Sequence, residues 1–151
     1  MTPPPTDPFL EAALDEARAG LAEGGIPIGS VIVHGGRIIG RGHNRRVQRG
    51  SAILHAEMDA FENAGRQPAS VYRESVLYTT LSPCAMCSGA ILLYGIPRVV
   101  IGENRTFTGE EALLRARGVE VEVRQEPACI ALMEAFIAAH PGLWNEDIGV
   151  D

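Results

Sequence analysis

HAEMDAF, residues 55–61, and LSPCAMC, residues 81–87, hold one histidine, one glutamate and two cysteines in a chain with only four histidines and three cysteines. Cys84 and Cys87 are three positions apart, so in the first turn of a helix they share one face. The positive end of the helix dipole lowers the pKa of a thiol there and favours the thiolate that a metal ion needs. With His55 they would supply the three protein ligands of a zinc site whose fourth position stays open.

A C-x-x-C pair by itself does not identify a metal site. It could be a redox pair or two cysteines of the core, and a lone histidine is weaker evidence for a metal ion. The combination of the two motifs favours a zinc site over these alternatives, because H-x-E followed by P-C-x-x-C is the signature of zinc-dependent deaminases. A purely structural zinc ion would need a fourth protein ligand. Cys129 could supply it in principle, but it lies in an apolar helical pattern, so we expect it to pack in the core.

Glu57 is two positions after His55, and side chains at this spacing on a helix do not face one ion together. We expect Glu57 to lie beside the zinc-bound water instead. Zinc lowers the pKa of that water to about 7, which makes hydroxide available as the nucleophile at neutral pH. Deamination also needs a proton on the ring nitrogen and another on the departing amine, and one carboxylate can carry both in turn. Without the two motifs, Glu57 would be interpreted as a solvated charge.

The composition limits the class of protein. The chain has 151 residues, of which 46% are hydrophobic and 21% charged, so one globular domain spanning residues 1–151 is expected. A net charge of -6 argues against a broad surface for nucleic acid. The start has no basic segment followed by an apolar stretch, and no apolar run is long enough to span a bilayer. With an odd number of cysteines and no disulfide framework, we predict a cytoplasmic protein without a membrane partner.

The apolar periodicity predicts an α/β fold. The expected elements are a helix from Pro8 to near Gly24, a hairpin that turns at Gly35 and Gly36, a helix over 52–65, a strand over 75–80, a helix over 84–95, a strand over 98–102, a helix over 109–118, a strand over 119–124 and a last helix from Pro127 to Pro141. Residues 1–6 are expected to form a flexible tail, and residues 143–151 a short C-terminal segment. This order predicts a three-layer α/β/α sandwich with a five-stranded mixed sheet.

Beyond the two motifs, the chain resembles the fungal-type cytosine deaminases of the cytidine deaminase superfamily. The likeness is carried by EGGIPIGS (23–30), GRGHN (40–44), GSAILHAEMDAFENAGR (50–66), LYTTLSPCAMCSGAILLYGIPRVVIGEN (77–104) and WNEDIG (144–149). Two features depart from that family. Ala56 replaces its glycine between the histidine and the glutamate, and the hairpin VHGGR (33–37) is shorter.

The resemblance implies a homodimer with a cytidine deaminase-like fold and one zinc ion per chain, which hydrolyses free cytosine to uracil and ammonia. It assigns His55, Cys84 and Cys87 to zinc and Glu57 to proton transfer. The substrate contacts that it implies are the amide of Asn44, the carbonyl of Ser82 and the carboxylate of Asp147, the backbone N–H groups of Ala56 and Cys84, a cover of Phe107, Trp144 and Ile148, and a pocket lining of Ile28 and Leu81. Residues 143–151 would form a lid over the base.

Several of these residues have simpler interpretations. Asn44 carries a donor and an acceptor, which suits a base edge, but it also suits a turn after a strand. Trp144 could anchor the C-terminus on the core rather than exclude water from a site. Asp147 could be a solvated charge, and Phe107 could belong to the core.

Three other functions compete with a cytosine deaminase. A tRNA adenosine deaminase shares the metal and the glutamate, but it must bind a polyanion and flip out a nucleotide, which the acidic charge disfavours. A deaminase for another small amino heterocycle, such as a cytosine analogue, an aminotriazine, guanine or a nucleoside, differs only in the shape of the pocket. A zinc-stabilised binding module would have the metal but no turnover.

Overall fold

The computed structural model describes residues 7–151, so the expected tail at residues 1–6 lies outside the described residues. Over this range the chain forms eight helices and five strands. The helices are α1 (Pro8–Ala22), α2 (Arg46–Arg49), α3 (Ala56–Ala64), α4 (Ala69–Arg73), α5 (Ala85–Tyr94), α6 (Glu111–Ala116), α7 (Pro127–Ala139) and α8 (Pro141–Asp147). The strands are β1 (Gly29–His34), β2 (Arg37–His43), β3 (Ser75–Leu81), β4 (Arg98–Glu103) and β5 (Glu120–Val123).

The five strands form one sheet in the order β2-β1-β3-β4-β5. β1 is antiparallel to both of its neighbours, whereas β3, β4 and β5 run parallel. The predicted mixed sheet is therefore confirmed. In this register Ser30 of β1 lies opposite Thr79 of β3, and Leu81 at the end of β3 pairs with Glu103 of β4. The chain leaves β3 and β4 at the same edge, where the carboxyl ends of parallel strands commonly form a ligand site.

Helices cover both faces of the sheet. On one face, Leu10 of α1 packs with residues of β1, β3 and β4 such as Val31 and Val100. α7 lies on this face too, because a Cβ at Gly102 would meet the Cys129 sulfur. On the other face, α3, α5 and α6 pack against alternate strand residues, including Ile101. The result is the expected three-layer α/β/α sandwich, with Cys129 buried in its core.

Glycines bring α1 and α3 unusually close to the strands. A Cβ at Gly29 would clash with the carbonyl of Ala13 in α1, and a Cβ at Gly40 or Gly42 would clash with the backbone of Ala60 in α3. Glycine is required at such contacts because it has no side chain to keep two backbones apart. The close approach fixes the height of α3 above the sheet, and therefore the position of the residues at its N-terminus.

Some predicted boundaries were wrong. α3 begins at Ala56 rather than near Ala52, because the Ser51 hydroxyl accepts the N–H groups of Ile53 and Leu54 and holds this segment in a turn. The short helices α2 and α4 were not predicted, since each has five residues or fewer and no clear apolar period.

The C-terminal segment, predicted as a short segment over 143–151, is helical as far as Asp147. Pro141 ends α7 as expected, but its ring also suits the first turn of a helix, and α8 begins there. Within residues 7–151 no single helix has the length and apolar character of a membrane span. Among the described helices, α7 and α8 taken together meet that test, and they are bent by 111° at their junction.

Candidate active site

The three expected metal ligands meet at the N-termini of two helices. His55 is the N-cap of α3 and Cys84 the N-cap of α5, with Cys87 in the first turn that follows. Their ligand atoms all lie within 4.8 Å of one another. His55 Nδ1 is 3.3 Å from the Cys84 sulfur and 3.7 Å from the Cys87 sulfur. A tetrahedral zinc ion would place a nitrogen and a sulfur ligand about 3.6 Å apart, so this set fits zinc.

Before a metal ion binds, the three ligands would differ in which of them carry protons. A hydrogen bond from the Cys87 thiol, against the effect of burial and with help from His55, lowers the pKa of Cys84 to about 4. The same hydrogen bond and burial raise the pKa of Cys87 well above its ordinary value. Burial lowers the pKa of His55, but hydrogen bonds with Asp147 and Cys84 outweigh it and raise that pKa to about 10. A metal ion must therefore displace protons from His55 and Cys87 when it binds.

Glu57 is buried beside the ligands rather than exposed on α3. Its Oε1 accepts hydrogen bonds from the hydroxyls of Ser30, at 3.2 Å, and Thr79, at 3.1 Å. Burial raises the pKa of Glu57, although hydrogen bonding to Cys87 and the charge of His55 oppose that shift. A carboxyl group with a raised pKa is suited to both accept and release a proton near neutral pH.

A small cavity lies beside the metal ligands, with about 310 Å³ of empty space. Residues at the metal end of its wall are His55, Ala56, Glu57, Ser82 and Cys84, and the apolar remainder is Ile28, Leu81, Phe107, Trp144 and Ile148, with Asp147 between them. Each of these residues was singled out in the sequence. Cys87 is buried beneath the wall, and Asn44 is buried behind Asp147 instead of lining the cavity.

α8 closes the cavity on one side. Its Trp144 is buried and meets the ring of Phe107 edge to face, with 5.9 Å between centroids. Its Asp147 accepts from Asn44 Nδ2 at 3.1 Å and lies 3.5 Å from His55 Nε2. Burial acts to raise the pKa of Asp147, but hydrogen bonds from His55, Asn44 and Arg46 hold that pKa below its ordinary value. An ionised Asp147 can therefore orient the His55 ring from the side away from the metal.

Sequence comparison identifies the family. The family model described as the cytidine and deoxycytidylate deaminase zinc-binding region matches residues 5–103. The chain belongs to this deaminase family. It is 56% identical to a cytosine deaminase of Candida albicans over 93% of this chain and 94% of that protein.

Two further relatives act on tRNA according to their descriptions. A tRNA-specific adenosine deaminase of Streptococcus pyogenes is 46% identical over 70% of this deaminase and 67% of its own length. A solved structure from a study of A-to-I editing by tRNA:A34 deaminases superposes with a TM-score of 0.69 at 29% identity, over 82% of this chain and 97% of that one.

These comparisons confirm the predicted family, the cytidine deaminase-like fold and the enzyme class, a zinc-dependent hydrolytic deaminase. The roles given to individual residues stay predictions. Four residues that support the site were not singled out in the sequence: Ser30 and Thr79, which hold Glu57, Glu111, which accepts the Ser82 hydroxyl at 2.6 Å, and Arg46, which contacts Asp147. Ser30 and Thr79 lie within stretches that carry the family resemblance and Arg46 lies close to one, and this proximity was the only signal in the sequence.

Proposed function

We propose that this deaminase hydrolyses free cytosine to uracil and ammonia. The observation that carries the proposal is the closure of the cavity beside the metal ligands by Phe107, Trp144 and Ile148. A flat, single-ring base suits a small cavity with aromatic and aliphatic walls, because such walls bury its faces and leave polar groups to bind its edge. The similarity to the Candida cytosine deaminase over nearly the whole chain supports the same substrate.

In this proposal Glu57 moves the protons. His55, Cys84 and Cys87 would hold the zinc ion, which when bound would supply the Lewis acidity for hydrolysis at neutral pH. Glu57 takes a proton from the attacking water, delivers one to the ring nitrogen of cytosine, and later passes one to the departing amine. The water oxygen becomes the new carbonyl oxygen of uracil as the carbon–nitrogen bond breaks and ammonia leaves. The hydroxyls of Ser30 and Thr79 keep the carboxylate in place through these transfers.

Polar groups around the cavity would bind the edge of the base. The carbonyl of Ser82 and the carboxylate of Asp147 would accept the amino group of cytosine. The N–H of Ala56 is in the first turn of α3, where helix N–H groups have no partner within the helix, so it would donate to the ring carbonyl. Asn44 would act on the pyrimidine through Asp147, since its amide donates to that carboxylate and does not line the cavity.

A tRNA substrate fits less well. The tRNA-specific relative matches a smaller part of this chain than the cytosine deaminase does. α8 also carries the exposed Glu146 next to the buried Asp147, and a polynucleotide would have to displace this acidic helix. Like charges on this helix disfavour a phosphate backbone.

The decisive experiment is a panel of substrates given to the purified, zinc-loaded protein, with ultraviolet absorbance and ammonia release as readouts. The panel contains cytosine, 5-substituted cytosines, cytidine, adenine, guanine, aminotriazines and a tRNA anticodon stem-loop. Cytosine or a close single-ring analogue is expected to have the highest kcat/KM. Fastest turnover of cytidine or tRNA would contradict the closed-cavity argument, and no turnover of any compound would favour a binding module.

We also propose that two copies of the chain pair through α5. This helix is apolar on nearly all sides, yet only Cys87, Ser88 and Ile91 are buried within the chain. Leu93 is 74% exposed, and Tyr94 is 45% exposed. A helix that is hydrophobic all round is normally covered, and a second copy would supply that cover. The cytoplasmic location stays a prediction.

A further inference from the structure

Arg46, which lies outside α8, forms hydrogen bonds with two residues of that helix. Its guanidinium donates to both carboxylate oxygens of Glu146, at 2.7 and 2.8 Å, and to Asp147 Oδ1 at 3.2 Å. Arg46 is itself fixed, since its Nε donates to the carbonyl of Ala52 at 2.9 Å and its backbone N–H donates to the Asn44 side chain at 3.0 Å. One side chain therefore links the loop before α3 to two consecutive residues of the helix that closes the cavity.

The two sides of the cavity cover are held with different strength. The segment with Phe107 is tied down by buried carboxylates. Glu103 accepts the N–H groups of Arg105 and Thr106, and Glu111 accepts the Ser82 hydroxyl, which in turn accepts the Gly109 N–H. α8 has only seven residues, and the side chain of Glu146, which pairs with Arg46, is 63% exposed. Exposed ion pairs contribute little stability, so this link can break at modest cost.

We propose that Arg46 is a positioning residue that holds α8 closed over the base, and that its pair with Glu146 sets how often the helix opens to release the product. The proposal rests on the proposed function only in naming uracil as that product. Arg46 acts through Asp147 and Glu146 and touches no reacting atom. Its planar guanidinium forms two parallel hydrogen bonds with the Glu146 carboxylate, and the single ammonium of a lysine cannot reproduce this bidentate geometry.

Trp144 gives a direct readout, because it is the only tryptophan of the chain and lies on α8. It is buried when the helix is closed, so acrylamide should quench its fluorescence more readily in variants that open more often. The variants are Glu146→Gln, which leaves Asp147 untouched, and Arg46→Lys. Arg124→Gln is the control, since it removes partly exposed arginine pairs with Asp7 and Glu122 that include no residue of the cavity wall.

Glu146→Gln is expected to raise the quenching constant and the dissociation rate of uracil about threefold, the effect of one exposed ion pair, at an unchanged melting temperature. Arg46→Lys should give a smaller change in the same direction, and Arg124→Gln none. Wild-type quenching and uracil dissociation in Glu146→Gln would overturn the proposal, as would an equal rise in Arg124→Gln. Because quenching is measured on the free protein, it tests the link to α8 even if cytosine is not the substrate.

Discussion

Replacement of Glu57 by glutamine tests the proton carrier with minimal change of shape. The amide oxygen can accept the same hydrogen bonds from the hydroxyls of Ser30 and Thr79, which lie 3.2 and 3.1 Å from Glu57 Oε1 in the wild type. Because burial raises the pKa of Glu57, the ionised carboxylate is destabilised in the folded protein, and glutamine removes that cost. We expect the variant to fold, to bind zinc in full, and to unfold within about 1 kcal/mol of the wild type.

Turnover should respond far more than stability. A positioned acid–base group contributes about 10² to 10⁴ in rate, and Glu57 serves more than one proton transfer, so kcat for cytosine should fall by about 10⁴. That factor corresponds to about 5.5 kcal/mol of activation free energy. The assay follows the loss of cytosine absorbance, with zinc content and melting temperature measured on the same sample. A Glu57→Gln enzyme that keeps its zinc and retains more than a tenth of wild-type kcat would refute the role of Glu57.

Thr79→Val provides a graded comparison for this experiment. It removes the hydroxyl that donates to Glu57 Oε1 and keeps the carboxylate. We expect a fall in kcat of about tenfold, which is the effect of losing one orienting hydrogen bond. An effect as large as that of Glu57→Gln would show that the orientation of the carboxylate, and not its proton, accounts for the loss.

Three further perturbations address the rest of the site. Asp147→Asn should abolish most turnover while zinc stays bound, since the new side-chain NH2 would replace an oxygen that accepts from Asn44 Nδ2. Metal analysis with a cytosine assay checks this, and full activity would remove Asp147 from the site. Zinc affinity should fall about tenfold per pH unit from about pH 8 to 6 through the His55 proton alone, because a pKa of about 10 means that zinc must displace this proton over the whole range. Chelator competition measures the slope, and an affinity that does not change with pH would contradict the prediction. Leu93→Glu on α5 should yield a monomer by analytical ultracentrifugation, whereas Leu21→Glu, at an exposed position of α1, should not.

The metal centre could be predicted because its information is local. H-x-E and P-C-x-x-C each place their residues at the start of a helix, and helix geometry then determines which side chains point together. The same holds for the order of helices and strands, which follows from apolar periodicity. The start of α3 was misplaced because Ala52, Ile53 and Leu54 continue an apolar pattern, while the Ser51 side chain holds their backbone in a turn.

The supports of the site could not be predicted, because they depend on contacts between distant parts of the chain. Ser30 reaches Glu57 only through the pairing of β1 with β3, and Arg46 meets Glu146 across 100 positions. Neither residue has a local pattern that separates it from an ordinary polar side chain. α8 was missed as a helix because it has only seven residues, so its sequence shows less than two full apolar periods.

The residues proposed for the reaction and those proposed for substrate selectivity lie in different parts of the chain. The family match ends at residue 103, after His55, Glu57, Cys84 and Cys87 but before Phe107 and α8. The residues proposed for metal binding and proton transfer thus lie in the part of the chain that the family model matches. The cover of the cavity lies outside that match. Exchange of the C-terminal segment between enzymes of this family should therefore alter which base enters the cavity and leave zinc binding unchanged.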